Sequence, residues 1–210
     1  MPTIKEIAKA CNVSVATVSN IINHKGSVGD ATRERVEQVI REMNYTPNYV
    51  AKNLKTKNTR SIGVIAEDMT VFALPDIIDG ITEYCEEEDY QILLVNLRLY
   101  KKFQDKYYRD NRHKEIVRQE IQKLLAKQVE GIIYVAAHER LINIIPEDLP
   151  IPTVVAYGFT GSEKIPSVVV KDIKGAYDLV SYIVSKGHKK IGVIAGKKES
   201  IHTQSRLEGY

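Results

Sequence analysis

Long hydrophobic runs are missing from this chain of 210 residues. No stretch approaches the roughly 18 consecutive apolar residues that mark a membrane-spanning helix. The N-terminus, Met-Pro-Thr-Ile-Lys-Glu, also lacks the apolar segment of a secretory signal peptide. We therefore expect a protein that is neither exported nor embedded in a membrane.

Cysteine is equally scarce, since only Cys11 and Cys85 occur in the whole sequence. Two cysteines so far apart offer neither a disulfide framework nor the closely spaced ligands of a metal site. This usage is typical of the reducing cytoplasm, and we expect no metal and no other cofactor.

Catalytic motifs are not recognisable either. The stretch Gly192–Lys198 resembles a phosphate-binding loop, but three residues instead of four separate its glycines, and Lys198 stands where that motif needs serine or threonine. Ser200 and His202 share one short segment without the sharp turn that presents a nucleophile. The five histidines are scattered along the chain, so the sequence does not indicate an enzyme.

The net charge is only +3, but positive charge is concentrated near the N-terminus. Residues 1–60 hold ten lysines and arginines against five acidic residues, whereas the remaining 150 residues hold 20 against 22. A basic head on a nearly neutral body is typical of a phosphate-binding module joined to a second domain.

The start of the chain predicts two short helices joined by a tight turn. Thr3 and Glu6 form the pattern of a capping box for the first helix, and Ser14 is placed to cap the second. The inward side of the second helix is Thr17–Val18 and Ile21–Ile22. Two short helices joined in this way form a helix-turn-helix, which places the start of its second helix in the DNA major groove.

The outward positions of that second helix carry no acidic residue; they are Val15, Ala16, Ser19, Asn20 and Asn23. Val15 and Ala16 suit the methyl groups of thymine, and Asn20 can pair with adenine N6 and N7. One such bidentate pair gives roughly 1–3 kcal/mol of discrimination between bases. The alternative is half of an ordinary helical bundle whose outward side chains happen to be small.

A third helix, capped by Asp30, is predicted from Ala31 to about Asn44 and completes a three-helix head. Thr46 and Pro47 can then start another short helix.

That last helix is only about nine residues long, and isolated helices of this length are marginal in water. It carries Leu54 among lysines and asparagines. Two interpretations of Leu54 stay open on residue types alone: it packs against the rest of the protein, or it is a wedge between base steps in the minor groove.

From Ser61 onward, short apolar segments alternate with amphipathic helices. We predict strands at Ile62–Ala66, Gln91–Val95, Gly131–Val135, Thr153–Ala156, Val168–Val170 and Lys190–Ala195, and helices at Pro75–Glu88, His113–Gln128, Glu139–Ile145 and Lys174–Lys186. The Lys- and Tyr-rich segment Leu97–Arg112 gives no clear pattern. Alternation of this kind predicts a parallel sheet with right-handed crossovers.

Ligands of such sheets bind beyond the carboxyl ends of the strands. The loops at that edge therefore supply the candidate site residues Phe72, Tyr134, Tyr157 and Arg206.

With these residues laid out, the chain resembles the lactose/galactose-repressor (LacI/GalR) family of bacterial transcription regulators. The resemblance rests on segments in the family's order, from the head through the linker to the end of the chain: Thr3–Asn23, Thr32–Asn48, Val50–Lys55, Arg60–Ile65, Val129–Ile133, Ile151–Val155, Lys186–Gly196 and Ser205–Tyr210.

The resemblance implies a cytoplasmic homodimer, associated with the nucleoid when its heads bind operator DNA. By matching position, Val15, Ala16 and Asn20 are the base-reading residues, and Leu54 is the minor-groove lever. Ala51 and Lys55 lie beside that lever. The residues implied to contact the DNA backbone are Thr3, Ser14, Thr17, Asn23, Tyr45 and Asn48.

The resemblance also implies a body similar to periplasmic sugar-binding proteins. A small-molecule effector that binds this body is expected to gate operator affinity. Arg206 matches the arginine that such proteins direct at effector hydroxyl or carboxylate groups. Tyr157 stands where the family usually has an aspartate, and Val170 replaces another, with Asp172 two residues later. A plain hexose is therefore in question, and Lys197 and Lys198 either suit a phosphorylated or acidic effector or are solvated loop charges.

The expected organisation is a helix-turn-helix head (1–46), a hinge helix and linker (47–60), a first α/β subdomain (61–170) and the start of a second (171–210). Family members usually continue past the last matching segment, so we expect the second subdomain to be incomplete. The alternative function is a small-molecule sensor without DNA regulation, which would have no use for the basic head and linker.

Overall fold

The computed structural model describes residues 2–46, 58–71, 73–104 and 112–210. They fall into two units, Met1–Lys57 and Asn58–Tyr210. This division lies inside the segment that was assigned to the hinge and linker.

The described residues of the first unit, 2–46, form three helices: α1 (Ile4–Ala10), α2 (Val15–Ile22) and α3 (Asp30–Glu42). They pack around one small apolar core whose buried members are Ile7, Ala8, Cys11, Val18, Ile21 and Val36. The three-helix head is therefore as predicted. Asp30 is not the cap of α3 but its first residue, because Gly29 occupies the cap position without a side-chain hydrogen bond.

The second unit alternates strands and helices. Its elements are β1 (Ser61–Ala66), α4 (Leu74–Glu87), β2 (Gln91–Asn96), α5 (Leu99–Phe103), α6 (Lys114–Ala126), β3 (Gly131–Val135), β4 (Thr153–Ala156), β5 (Ser167–Val168), α7 (Asp172–Ser185) and α8 (Ile201–Gly209). All strand pairs are parallel, in the order β2-β1-β3-β4-β5.

Both faces of this sheet are covered, which explains why β1 and β3 are almost continuously apolar. On one face Ile78 of α4 packs with Val64 and Val135. On the other, Ile121 of α6 packs with Ile65 and Ile132. Because the paired strands are parallel, their carboxyl ends share one edge of the sheet, as the sequence predicted.

Two predicted elements are wrong. Residues 139–145 form no helix: the Ile142 amide donates to the Phe159 carbonyl at 2.8 Å and the Phe159 amide to the Arg140 carbonyl at 3.0 Å. Those backbone groups are taken by a neighbouring loop and cannot form helical hydrogen bonds. Residues 190–195 form no strand, because none of the described strands lies beside them to pair with.

Helices α7 and α8 pack against each other, but much of their apolar surface is exposed. Tyr177, Leu179 and Tyr182 of α7 are each about three-fifths exposed, and Ile194 in the segment between the helices is fully exposed. Within the described part of the chain, this region is thus less covered than the sheet before it.

Candidate functional site

Helix α2 presents a polar and apolar surface without acidic residues. The Ser14 hydroxyl caps the helix by accepting a hydrogen bond from the Thr17 amide at 3.0 Å. Val18 and Ile21 point into the core, which turns Val15, Ala16 and Asn20 outward. Val15 keeps 42% of its surface exposed although it is apolar, so this helix start is suited to contact an apolar group of a partner.

The described residues among those predicted to contact a DNA backbone belong to the three-helix head. Thr3 forms the predicted capping box, with its amide donating to Glu6 at 2.7 Å and its hydroxyl accepting from the Glu6 amide at 3.3 Å. The Thr3 amide and the Thr3 hydroxyl both donate to the Glu6 carboxylate, and these two hydrogen bonds lower the pKa of Glu6. Asn23 donates to the Ser19 carbonyl at 2.7 Å, and Tyr45 packs partly on the head core.

Five of the predicted site residues lie outside the described residues: Asn48, Ala51, Leu54, Lys55 and Phe72.

At the carboxyl edge of the sheet, a buried carboxylate joins the loops after β1 and β3. Glu67 follows β1 and has a fully buried side chain. It accepts hydrogen bonds from the Tyr134 hydroxyl at 2.5 Å and the Ala137 amide at 2.7 Å. Arg140 donates to both of its oxygens, at 2.5 and 3.0 Å. This bidentate pairing holds the loop after β3 against the end of β1.

Burial opposes ionisation of Glu67, but the charge and hydrogen bonds of Arg140, with those of Tyr134 and Ala137, outweigh it. The pKa of Glu67 is therefore lower than that of an ordinary glutamate. A buried ionised carboxylate with this many donors is a fixed part of the fold.

The same cluster corrects the expectation for Tyr134. We predicted it to line an effector site, but its side chain is fully buried and its hydroxyl is bonded to Glu67. Because Glu67 and the core enclose it, Tyr134 supports the edge of the sheet from inside and is not part of an open surface.

A second cluster brings Tyr157 and Arg206, two of the predicted effector-site residues, together with two residues that the sequence analysis did not assign. Asp172, the first residue of α7, accepts hydrogen bonds from Arg206 Nε at 2.7 Å and from His202 Nδ1. The rings of Tyr157 and His202 stack with centroids 5.6 Å apart. Glu139 accepts a hydrogen bond from the Val170 amide at 3.3 Å beside this cluster.

The ionisable groups of this cluster shift one another's pKa values. Burial opposes ionisation of Asp172, but hydrogen bonds from His202 and Arg206 hold its pKa below the ordinary value. Burial, together with the nearby charges of Glu139 and Asp172, raises the pKa of Tyr157. Its phenol is therefore a neutral donor at physiological pH, and Arg206, with 63% of its side chain exposed, keeps its outer nitrogens towards solvent.

Sequence reasoning missed Glu67, Arg140, Asp172 and His202. Glu67 and Arg140 carry one usable signal, because each shortly follows one of two neighbouring parallel strands. Asp172 and His202 lie 30 residues apart, and only the packing of α8 on α7 brings them together.

Two kinds of feature are absent from the described residues. They contain no group of three histidine, cysteine or acidic side chains arranged to hold a metal ion. Among the same residues, no helix is both long and apolar enough to cross a membrane.

Two family models match this chain. Residues 3–48 match "Bacterial regulatory proteins, lacI family", and residues 59–210 match "Periplasmic binding proteins and sugar binding domain of LacI family".

Curated relatives match over nearly the whole chain. The HTH-type transcriptional repressor PurR of Vibrio vulnificus is 30% identical, and the alignment covers 100% of this chain and 60% of the relative. The HTH-type transcriptional regulator RegA of Clostridium saccharobutylicum is 32% identical over 99% of this chain and 59% of its own length. The ribose operon repressor of Haemophilus influenzae is 28% identical, with 100% and 59% covered. The chain thus spans about 60% of the length of these relatives.

Solved structures share the fold. The lac repressor dimer bound to operator and the anti-inducer ONPF matches with a TM-score of 0.72 and 24% identity, covering 99% of this chain and 60% of that one. A LacI-family regulator from Silicibacter pomeroyi matches with a TM-score of 0.59 and 21% identity, with 100% and 60% covered.

Proposed function

The chain belongs to the LacI family of bacterial regulatory proteins. We propose that it is a sequence-specific DNA-binding transcription regulator, a repressor gated by a small-molecule effector. It acts as a cytoplasmic homodimer that joins the nucleoid when its heads bind operator DNA. The relatives named as repressors support this proposal.

The observation that carries the proposal is the outward surface of α2. Val15, Ala16 and Asn20 project from a helix that is capped at its start and has no acidic residue. A helix start of this kind fits the major groove, where Val15 and Ala16 contact thymine methyl groups and Asn20 reads adenine. Small side chains at the first two positions also allow the helix to approach the base edges closely.

The other head contacts position the protein and carry no sequence information. We assign Thr3, Ser14, Thr17, Asn23 and Tyr45 to the DNA backbone. Asn48 is proposed for the same role in the linker.

In the minor groove, we propose Leu54 as the wedge between base steps, with Ala51 and Lys55 beside it. This assignment rests on the positions these residues hold in the family pattern, since the structure does not describe them.

We place the effector at the carboxyl edge of the sheet, on Tyr157 and Arg206, and from its sequence position we propose Phe72 for the same site. Asp172 holds the guanidinium of Arg206 through Nε, so the outer nitrogens face a ligand. The phenol of Tyr157 adds a neutral donor and a ring face. These groups suit a hydroxylated or carbonyl-bearing metabolite, in keeping with the sugar-binding description of the family model.

Selection from a pool of random DNA duplexes tests the proposal. We expect the protein to enrich one pseudo-palindromic sequence whose affinity falls steeply with salt, by about 0.9 log units per log unit of salt for each phosphate contacted. Asn20→Ala should weaken binding to that duplex about tenfold or more and relax the preference at one base pair. Gln38→Ala, on the exposed side of α3, is the matched control and should bind like the wild type.

A sensor without DNA regulation predicts a different result. It would enrich no sequence, and any residual DNA binding would be equally sensitive to Asn20→Ala and Gln38→Ala. Either finding would contradict the proposed function.

A further inference from the structure

The chain enters the second unit through a residue that is held from several sides. Arg60 is the last residue before β1, and its backbone is in the left-handed region, with φ 45°. A non-glycine residue in this conformation carries backbone strain and persists only where its surroundings hold it in place. Hydrogen bonds to its backbone and to its side chain hold Arg60 in this conformation.

The side chain of Arg60 closes the C-terminal end of α4. Its Nε donates to the Asp89 carbonyl at 2.8 Å and its Nη2 donates to the Glu88 carbonyl. The guanidinium also lies 4.9 Å from the centre of the Tyr90 ring. These carbonyls belong to the cap and the turn after α4, where helices leave backbone acceptors unsatisfied.

Negative charge is concentrated at this end of α4, and Arg60 supplies a positive charge beside it. Residues 86–89 are four consecutive acids, Glu-Glu-Glu-Asp, at the end of a helix where the helix dipole disfavours negative charge. No basic residue lies in the last turn of α4. The ion pair between Arg60 and Asp89 is itself exposed and worth little, so the bonds to the two carbonyls carry the interaction.

The backbone at this entry point is tied to a different helix. The Arg60 amide donates to Glu130 Oε1 at 2.6 Å, and the Thr59 hydroxyl donates to the Gln128 carbonyl at 2.7 Å. Gln128 and Glu130 form the turn between α6 and β3. The hydroxyl of Tyr90 also donates to Glu130, at 3.3 Å. The entry is thus fastened to the ends of both α4 and α6.

Helix α4 connects this entry to the opposite edge of the sheet. Its first residue, Leu74, follows the loop after β1, whose members Glu67 and Asp68 lie at the carboxyl edge. Its 14 residues span about 21 Å at 1.5 Å per residue. The helix therefore joins the carboxyl edge of the sheet to the turn that Arg60 caps.

We propose that Arg60 is a positioning residue that fixes the point at which the chain enters the α/β unit from the linker segment 47–57. This inference rests on the proposed DNA-binding function. Arg60 acts on DNA only through the placement of the linker, and it makes no contact with DNA itself.

The test uses the duplex that the wild-type protein selects, together with a scrambled duplex of equal length. Arg60→Ala should lower affinity for the selected duplex roughly tenfold and change affinity for the scrambled duplex less than about twofold. Arg118→Ala removes an exposed arginine that pairs with Glu115 on the surface of α6, and it should leave both affinities unchanged. Arg60→Lys keeps the charge but loses the two-donor fork, so we expect an intermediate loss.

The outcomes separate the possible roles of Arg60. Equal losses on both duplexes, with a shallower salt dependence, would mean that Arg60 contacts phosphate and would overturn the inference. A lower melting temperature with unchanged discrimination between the duplexes would reduce Arg60 to a structural residue and would also overturn it. If Arg60→Ala does not fold, the discrimination of Arg60→Lys decides. Failure of the wild type to select any duplex would instead remove the proposed function.

Discussion

Glu67 illustrates at the scale of single residues how the sheet edge is built. Its carboxylate is fully buried and accepts four hydrogen bonds from Tyr134, Ala137 and Arg140. A buried ion pair of this kind contributes little compared with an apolar replacement, but removing one partner leaves an uncompensated charge. Neutralising Glu67 is therefore expected to lower the stability of the fold, because Arg140 would lose its counter-charge.

Glu67→Gln should lower the free energy of unfolding by about 3 kcal/mol at pH 7, because Arg140 loses its counter-charge. The pKa of Glu67 is lowered in the folded state, so its stabilising contribution is present above the ordinary glutamate pKa of about 4.3 and is lost as the pH falls below it. Urea unfolding at several pH values should show the difference between wild type and variant shrinking below about pH 4. Glu115→Gln, an exposed residue, is the control, and a difference independent of pH would contradict the assignment.

At the scale of helices, the contact between α7 and α8 assembles the second cluster. Asp172 opens α7, whereas His202 and Arg206 lie on α8. The two helices approach closely because Gly209 of α8 lies directly against the backbone of Ile173. The geometry around Arg206 thus depends on one small residue at the end of α8.

Gly209→Ala should destabilise this contact by about 1–3 kcal/mol, since a Cβ there would overlap the Ile173 carbonyl oxygen and lie 2.9 Å from the Ala176 Cβ. Gly175→Ala is the matched control on α7, because its Cβ would meet open space. Replacing a helical glycine with alanine should stabilise by about 0.8–1 kcal/mol. Hydrogen exchange of α7 and α8 measures both effects, and equal protection in the two variants would refute the close contact.

At the scale of the whole molecule, the chain consists of two units with separate apolar cores. The head core contains residues of α1, α2 and α3, and the sheet has its own core on each face. An effector at the carboxyl edge of the sheet therefore binds a unit that does not include the head.

We expect a ligand to raise the unfolding transition of the second unit and leave that of the head unchanged. Screening by calorimetry with sugars, phosphosugars and nucleosides should find a compound that stabilises by about 2.7 kcal/mol at a hundredfold excess over its dissociation constant. Arg206→Gln should remove that shift. A shift of both transitions together, or none with any compound, would contradict the placement of the effector.

Sequence patterns were sufficient to predict the three-helix head, the parallel sheet and most strand and helix positions. These follow from local signals: the capping residues Thr3 and Ser14, helical spacing of apolar residues, and short apolar runs between helices. Each signal acts within a few residues, so it is legible without the fold.

Tertiary packing was needed to identify the partners of the charged residues and to assign secondary structure where the local pattern was misleading. Glu67 and Arg140 are 73 residues apart, and Asp172 and Arg206 are 34 apart, so no local pattern pairs them. Residues 139–145 form no helix because their backbone groups hydrogen-bond with the loop after β4. The Tyr134 side chain is buried, and its hydroxyl donates to the buried carboxylate of Glu67. The physical reason is the same in each case: an interaction between groups distant in sequence is fixed only when packing brings them together.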